Sequence, residues 1–192
     1  MEIVDIKGQE RNDLGKSAAK RTRTEGLVPC VLYSGTTALH FSAHPLELRH
    51  IIYTGEFKQA DIELNGEKHR CILKSMQFNP VTDVVTHVDF LKLVPGNSIK
   101  VEVPVKFIGI AQGVKEGGKL QQMLRKIKIK TTPEKVLSEM QLDVTHLKLG
   151  QSVRVKDIKV EEGIEILNAP SIPVAIIEIP RALRGAKAAE KK

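Results

Sequence analysis

The chain has 192 residues, 41% of them hydrophobic, with 30 Lys plus Arg against 23 Asp plus Glu and a formal charge of +7. That apolar content is enough for one large domain or two small ones without staples, and Cys30 and Cys71, far apart in sequence, are expected to stay reduced in the cytosol. The opening MEIVDIKG lacks a signal-peptide pattern and no apolar run has bilayer length, so a soluble intracellular protein with no membrane partner is expected.

In chain order, residues 2–7 alternate as a first strand, with Ile3 and Asp5 on one side and Val4 and Ile6 on the other. Residues 8–15 read as a loop between two glycines, and Arg11 lies in it. A basic helix follows, with Ser17 as its expected cap and Gly26 as its stop. It carries Lys16, Lys20, Arg21 and Arg23 and no carboxylate up to Thr24. At helical spacing Lys16, Lys20 and Arg23 share a face that suits a row of phosphates, or is simply solvated. Residues 27–33 form a strand that is apolar on both faces and ends at Tyr33, and residues 40–42 form a short one. From Pro45 to Gly55 the pattern is helical, with Leu48, Ile51 and Ile52 inward. Asn65-Gly66 between alternating runs predicts a two-residue hairpin. Extended runs over 72–78 and 84–93 flank a break at Asn79-Pro80.

Turn residues at 95–98 mark a linker, dividing the chain into domains of residues 1–94 and 99–180. Beyond it, residues 99–107 alternate as a half-buried strand, which Pro104 places at a sheet edge. Residues 109–118 are rich in glycine without a phosphate-loop pattern. The run from Lys126 to Lys130 reads as an edge strand guarded by lysines, with an RNA contact as the rival reading. Short strands are expected at 140–144, 153–155, 158–160, 164–167 and 174–179, ahead of a basic, mobile tail at 181–192. The fold class is thus mainly β with a few short helices, and the second domain is all-β.

Overall charge does not locate a site: residues 1–95 carry 12 cations against 12 anions, and residues 96–192 carry 18 against 11. His87 and Asp89 fall on one side of their strand, and Val88 and Phe90 on the other. The other histidines, His40, His44, His50, His69 and His146, lack zinc-like spacing, and no nucleophile elbow or Walker pattern is present. No enzyme, metal, cofactor or small-molecule substrate is therefore expected, and the pair is equally compatible with a plain surface hydrogen bond.

Arg11, Gly15-Lys16, Arg21 and Arg23, Glu25-Gly26, Val28-Pro29 and Tyr33, then Gln77, Asn79 to Thr82 and His87 to Phe90, form an ordered series. So do Gly109 to Leu120, Pro133, Asp143-Val144, Leu147 with Gly150, and Asp157-Ile158. Together they resemble the long, two-domain form of the bacterial large-subunit ribosomal protein L twenty-five family, whose other name is general stress protein CTC. The resemblance implies an N-terminal β-barrel that binds 5S rRNA in the central protuberance, followed by a separate β domain. The second domain would meet neighbouring large-subunit rRNA, ribosomal proteins or neither. By position, it implies RNA contacts at Arg11, Lys16, Arg21, Arg23, Tyr33, Gln77, His87 and Asp89, to which the charge pattern of the helix adds Lys20. Thr24, Leu27 and Val136-Leu137 depart from the family pattern. A tRNA-binding barrel, or a stress-induced RNA-binding protein acting off the ribosome, is the alternative.

Overall fold

A computed structural model describes residues 1–35, 37–160 and 162–180. They fall into two compact units, Met1–Asn97 and a second that begins at Ser98.

The first unit runs β1 (Ile3–Glu10), α1 (Lys16–Thr24), β2 (Val28–Ser34), β3 (Thr37–Ala43), α2 (Pro45–Ile52), β4 (Gln59–Leu64), β5 (Glu67–Phe78) and β6 (Val85–Lys92). Its six strands close into a barrel in the order β1-β3-β2-β6-β5-β4. β1 with β4 and β2 with β6 pair in parallel, and the remaining neighbours are antiparallel. Closure leaves no free sheet edge for another chain to extend. Ile6, Leu32, Phe41, Ile62, Val88 and Phe90 are fully buried inside it, the two phenylalanine rings 6.0 Å apart. Each such side chain contributes roughly 1.5–3 kcal/mol of burial, which is why the barrel needs no staple. Leu48, Ile51 and Ile52 of α2 join this core. The helix starts where the sequence indicates: His44 accepts the Leu46 N–H at 3.3 Å, and Pro45 pre-sets the first turn.

Cys30 and Cys71 lie in the same core as free thiols. Burial pushes the Cys30 thiol up to about 12 and raises that of Cys71 as well. The Asn65-Gly66 hairpin is present, with φ of 51° and 86° at its two central residues. Two local expectations are corrected. Gly8 belongs to β1 and not to a loop: a Cβ there would lie 2.6 Å from Phe41 and 2.8 Å from Leu64, so glycine lets those side chains close over the strand. The N-cap position of α1 is Gly15, which has no side chain to bond, and Ser17 sits inside the first turn.

The second unit contains β7 (Ile99–Ile108), α3 (Gln112–Lys115), β8 (Lys119–Gln122), β9 (Lys126–Thr131), β10 (Met140–Asp143), β11 (Ser152–Arg154), β12 (Glu165–Ile166) and β13 (Pro173–Glu178). One sheet has the order β10-β7-β9-β12 and the other β11-β13-β8. Val103, Ile127, Ile129 and Ile177 are fully buried.

Pro104 does not make β7 an edge strand. Residues 99–104 pair with β9 and residues 105–108 with β10, so the proline falls where the strand changes partners and no ladder bond is lost. Nor is β9 an edge: it lies between β7 and β12, and its lysines occupy the exposed face. There Lys128 meets Glu102 at 3.7 Å and Lys130 meets Glu165 at 3.6 Å. The strand expected at 158–160 is absent, because Ile158 closes a 3-10 turn over Val155–Asp157 by donating to the Val155 carbonyl at 3.2 Å. The tail at 181–192 lies outside the described residues.

Candidate nucleic-acid interface

The outer wall of the barrel follows from period two and register. Val28, Cys30 and Leu32 of β2, and Val88 and Phe90 of β6, belong to the core. Alternation therefore turns residues 29, 31 and 33, and residues 87, 89 and 91, outward. Cross-strand pairing then sets them in rows. Gln77 of β5 stands opposite His87, and Ser75 stands opposite Asp89. Asp89 is beside Val31, which stands opposite His40 of β3. The ladder runs one step past β1, since the Arg11 N–H donates to the His40 carbonyl at 2.9 Å, and Arg11 thereby joins this second row. Tyr33, paired with Leu91, starts the next row and is 41% exposed.

At the centre of the wall, Asp89 holds its neighbours. The Ser75 hydroxyl donates to its Oδ2 at 2.5 Å, and Oδ1 lies 3.0 Å from His87 Nδ1. Oδ1 is buried and has no hydrogen-bond partner: the His87 imidazole is close to it but lacks the alignment of a hydrogen bond. With Nδ1 beside the carboxylate, Nε2 is the ring atom left to meet a partner. Asp89 itself is half-buried, its side chain 20% exposed, with Oδ2 bonded by Ser75 and Oδ1 without a hydrogen-bond partner. This placement fits a carboxylate that orients His87 better than one that reads a base directly.

The basic helix packs on β2 through its buried face, where Thr22 donates its hydroxyl to the Ala18 carbonyl at 3.0 Å. Lys16 and Lys20 remain on the exposed side. Arg21 is turned to Asp13 at 2.5 Å, an exposed pair that is cheap to exchange for a phosphate. Arg23 Nε donates to the Thr86 carbonyl at 3.0 Å, and this bond ties the helix to β6. Arg11 gives one guanidinium N–H to the Asp13 carbonyl at 3.3 Å. The structure therefore gathers Arg11, Gln77, His87 and Asp89 on adjoining rows, with Tyr33 one row on and Arg23 anchored beside them. Lys16, Lys20 and Arg21 stay on the helix.

Two residues of the wall had no local signal. Ser75 reaches Asp89 only because β5 carries a bulge between Leu73 and Ser75. His40 is placed by the β2–β3 register. Among the described residues no cluster of three or more His, Cys, Asp or Glu is arranged to hold a metal, and no helix is long and apolar enough to cross a membrane.

Both units match known protein families in sequence. The family model described as the Ribosomal L25p family matches residues 6–90, and that of ribosomal protein TL5, C-terminal domain, matches residues 98–181. Both halves are thus of ribosomal-protein type. The chain is 40% identical over 192 residues to the large ribosomal subunit protein bL25 of Cytophaga hutchinsonii, with all of both chains covered. It is 39% identical over 197 residues to the bL25 of Bacteroides fragilis, again over all of both chains. The chain belongs to the bL25 family of large ribosomal subunit proteins, in its long two-domain form.

Proposed function

We propose that the barrel, residues 1–94, binds 5S rRNA in the central protuberance of the large ribosomal subunit. As a bL25-family chain the protein is a structural, ribosome-associated component and not an enzyme. The single observation that carries the finer reading is the register that lines up Arg11, Gln77, His87 and Asp89 on one outer wall beside Arg23. In this reading Lys16, Lys20, Arg21 and Arg23 set the protein's position on phosphates. Gln77, His87 and Tyr33 face sugars and base edges across the wide, shallow minor groove, where 2′-hydroxyls both donate and accept. Asp89 fixes the imidazole that does part of the reading. The second domain, residues 99–180, follows the linker at 95–98 and meets neighbouring large-subunit rRNA or ribosomal proteins.

The test is a filter-binding titration of the full chain against 5S rRNA and against random duplexes over a range of salt. Contacts from four helix cations predict a log–log slope of about −3, at roughly 0.7–0.9 per phosphate. The wall residues Gln77, His87 and Tyr33, which face sugars and base edges in this reading, predict clear preference for 5S rRNA. Equal affinity for random duplexes would count against shape recognition.

A further inference from the structure

The bulge in β5 decides which side chain meets the carboxylate at the centre of the wall. Along the ladder with β6, Leu73 stands opposite Phe90 and Ser75 opposite Asp89, so Lys74 is the extra residue. In a regular ladder Lys74 would stand opposite Asp89. The bulge sets the small, neutral hydroxyl of Ser75 there instead, a donor that directs a carboxylate without adding charge.

On the outer side of the sheet Asp89 is flanked by Val31 of β2, Ser75 of β5, and His87 and Leu91 of its own strand. Val31 and Leu91 are apolar and offer no donor. His87 places Nδ1 3.0 Å from Oδ1 without the alignment of a hydrogen bond. Of these neighbours Ser75 alone bonds the carboxylate, its Oγ donating to Oδ2 at 2.5 Å. The outward position of Oδ2 thus depends on one hydroxyl, and the position of Oδ1 against the imidazole follows from it.

We propose that Ser75 is a positioning residue for RNA discrimination: its bond turns the Asp89 carboxylate so that Oδ1 stays against His87 Nδ1, which fixes the tautomer the wall presents. The inference rests on the RNA-binding reading above. An Asp carboxylate turns readily about its last bond, where the rotamer wells are broad. Released from Ser75, it no longer gives the ring a constant negative neighbour, and the preference for a proton on Nδ1 is lost. Ser75 acts through Asp89 and carries no charge, so the attraction of the helix cations for phosphates is left as it is.

The full chain is compared with its Ser75→Ala and Ser75→Thr variants, with thermal melts to establish that each is folded. Nitrogen NMR of His87 in the free protein reads the tautomer, and competition between a 5S rRNA transcript and a non-cognate RNA reads discrimination. Ser75→Ala is expected to mix the two tautomers and to lower discrimination roughly 2- to 10-fold, the worth of one neutral hydrogen bond from His87. The salt slope stays that of the unmodified chain. Ser75→Thr keeps a hydroxyl on a residue that suits a strand, and retains both the tautomer and the discrimination. In an Asp89→Ala background Ser75→Ala adds no further loss of discrimination, because the two residues act as one unit. Unchanged His87 signals in folded Ser75→Ala overturn the proposal. Weaker binding with those signals unchanged points to direct contact between Ser75 and RNA, and equal weakening on both RNAs points to a purely structural role; either result also overturns it. Failure of the unmodified chain to bind 5S rRNA is a separate outcome that removes the RNA reading, and the proposal with it, whatever the tautomer shows.

Discussion

Asp89→Asn changes the wall with almost no change of shape. The wild-type carboxylate accepts from Ser75 Oγ at 2.5 Å and holds Oδ1 3.0 Å from His87 Nδ1 without the alignment of a hydrogen bond, and a negative oxygen so near favours the tautomer with its proton on Nδ1. Asparagine keeps an acceptor for Ser75 by placing its carbonyl oxygen there, and its NH2 then confronts His87. The ring must become an acceptor at Nδ1, which moves its proton to Nε2 and reverses the polarity shown to RNA. A hydrogen bond to a charged group contributes about 1.5–3 kcal/mol, and one between neutral groups about 0.5–1.5 kcal/mol, so roughly 1–2 kcal/mol of discrimination is at stake. That is about 5- to 30-fold in affinity ratio, since 1.4 kcal/mol is tenfold. The phosphate contacts are untouched, so total charge attraction changes little. The assays are nitrogen NMR of His87 for the tautomer and competitive binding of 5S rRNA against a non-cognate RNA. An unchanged tautomer, or equal weakening on both RNAs, would refute the reasoning.

Arg23→Ala removes both an exposed cation and the bond to the Thr86 carbonyl, and is expected to lower the salt slope of 5S rRNA binding by about 0.7–0.9, read by filter binding. A slope equal to wild type would show that Arg23 meets no phosphate. Asp61 and Arg70, opposite each other on β4 and β5, form a two-bond pair at 3.0 and 3.1 Å that holds the Asp61 carboxyl below the usual carboxylate range. A depressed folded value means the stabilisation is full above about pH 4 and is lost as pH falls through the folded value. Asp61→Asn should therefore cost ~0.5–1 kcal/mol at pH 7, allowing for screening of the exposed guanidinium, and should flatten the acid limb of urea-melt stability below pH 4. An undiminished acid limb would exclude this pair as its source. With Cys30 raised to about 12 and both thiols buried, a thiol reagent at pH 8 should modify neither in the folded protein and both in denaturant. Rapid modification of native protein would contradict the closed barrel.

What the sequence reveals is local. Asn65-Gly66 encodes its hairpin by turn chemistry, α2 is marked by Pro45 and its apolar spacing, and alternation alone puts His87 and Asp89 on one side. The rows of the wall depend instead on parallel pairing of β2 with β6 and on the bulge at Ser75, contacts between distant segments that leave no periodic trace. Gly8 looks like a turn glycine because the side chains that need its missing Cβ, Phe41 and Leu64, come from other strands. Pro104 looks like an edge marker because a change of partner along one strand is invisible in one dimension. β8 was missed for a simpler reason: Lys119 to Gln122 offers only Leu120 as an apolar residue, and the pairing with β13 supplies the rest. Family resemblance singles out the site residues, and only the register sets their mutual geometry.

The most direct measurement is a pull-down of the tagged full chain from a lysate with dissociated ribosomes, followed by sizing and sequencing of the bound RNA. The account predicts 5S rRNA as the dominant species, retained through moderate salt. Recovery of tRNA-sized species, or of a mixture reflecting RNA abundance, would contradict it.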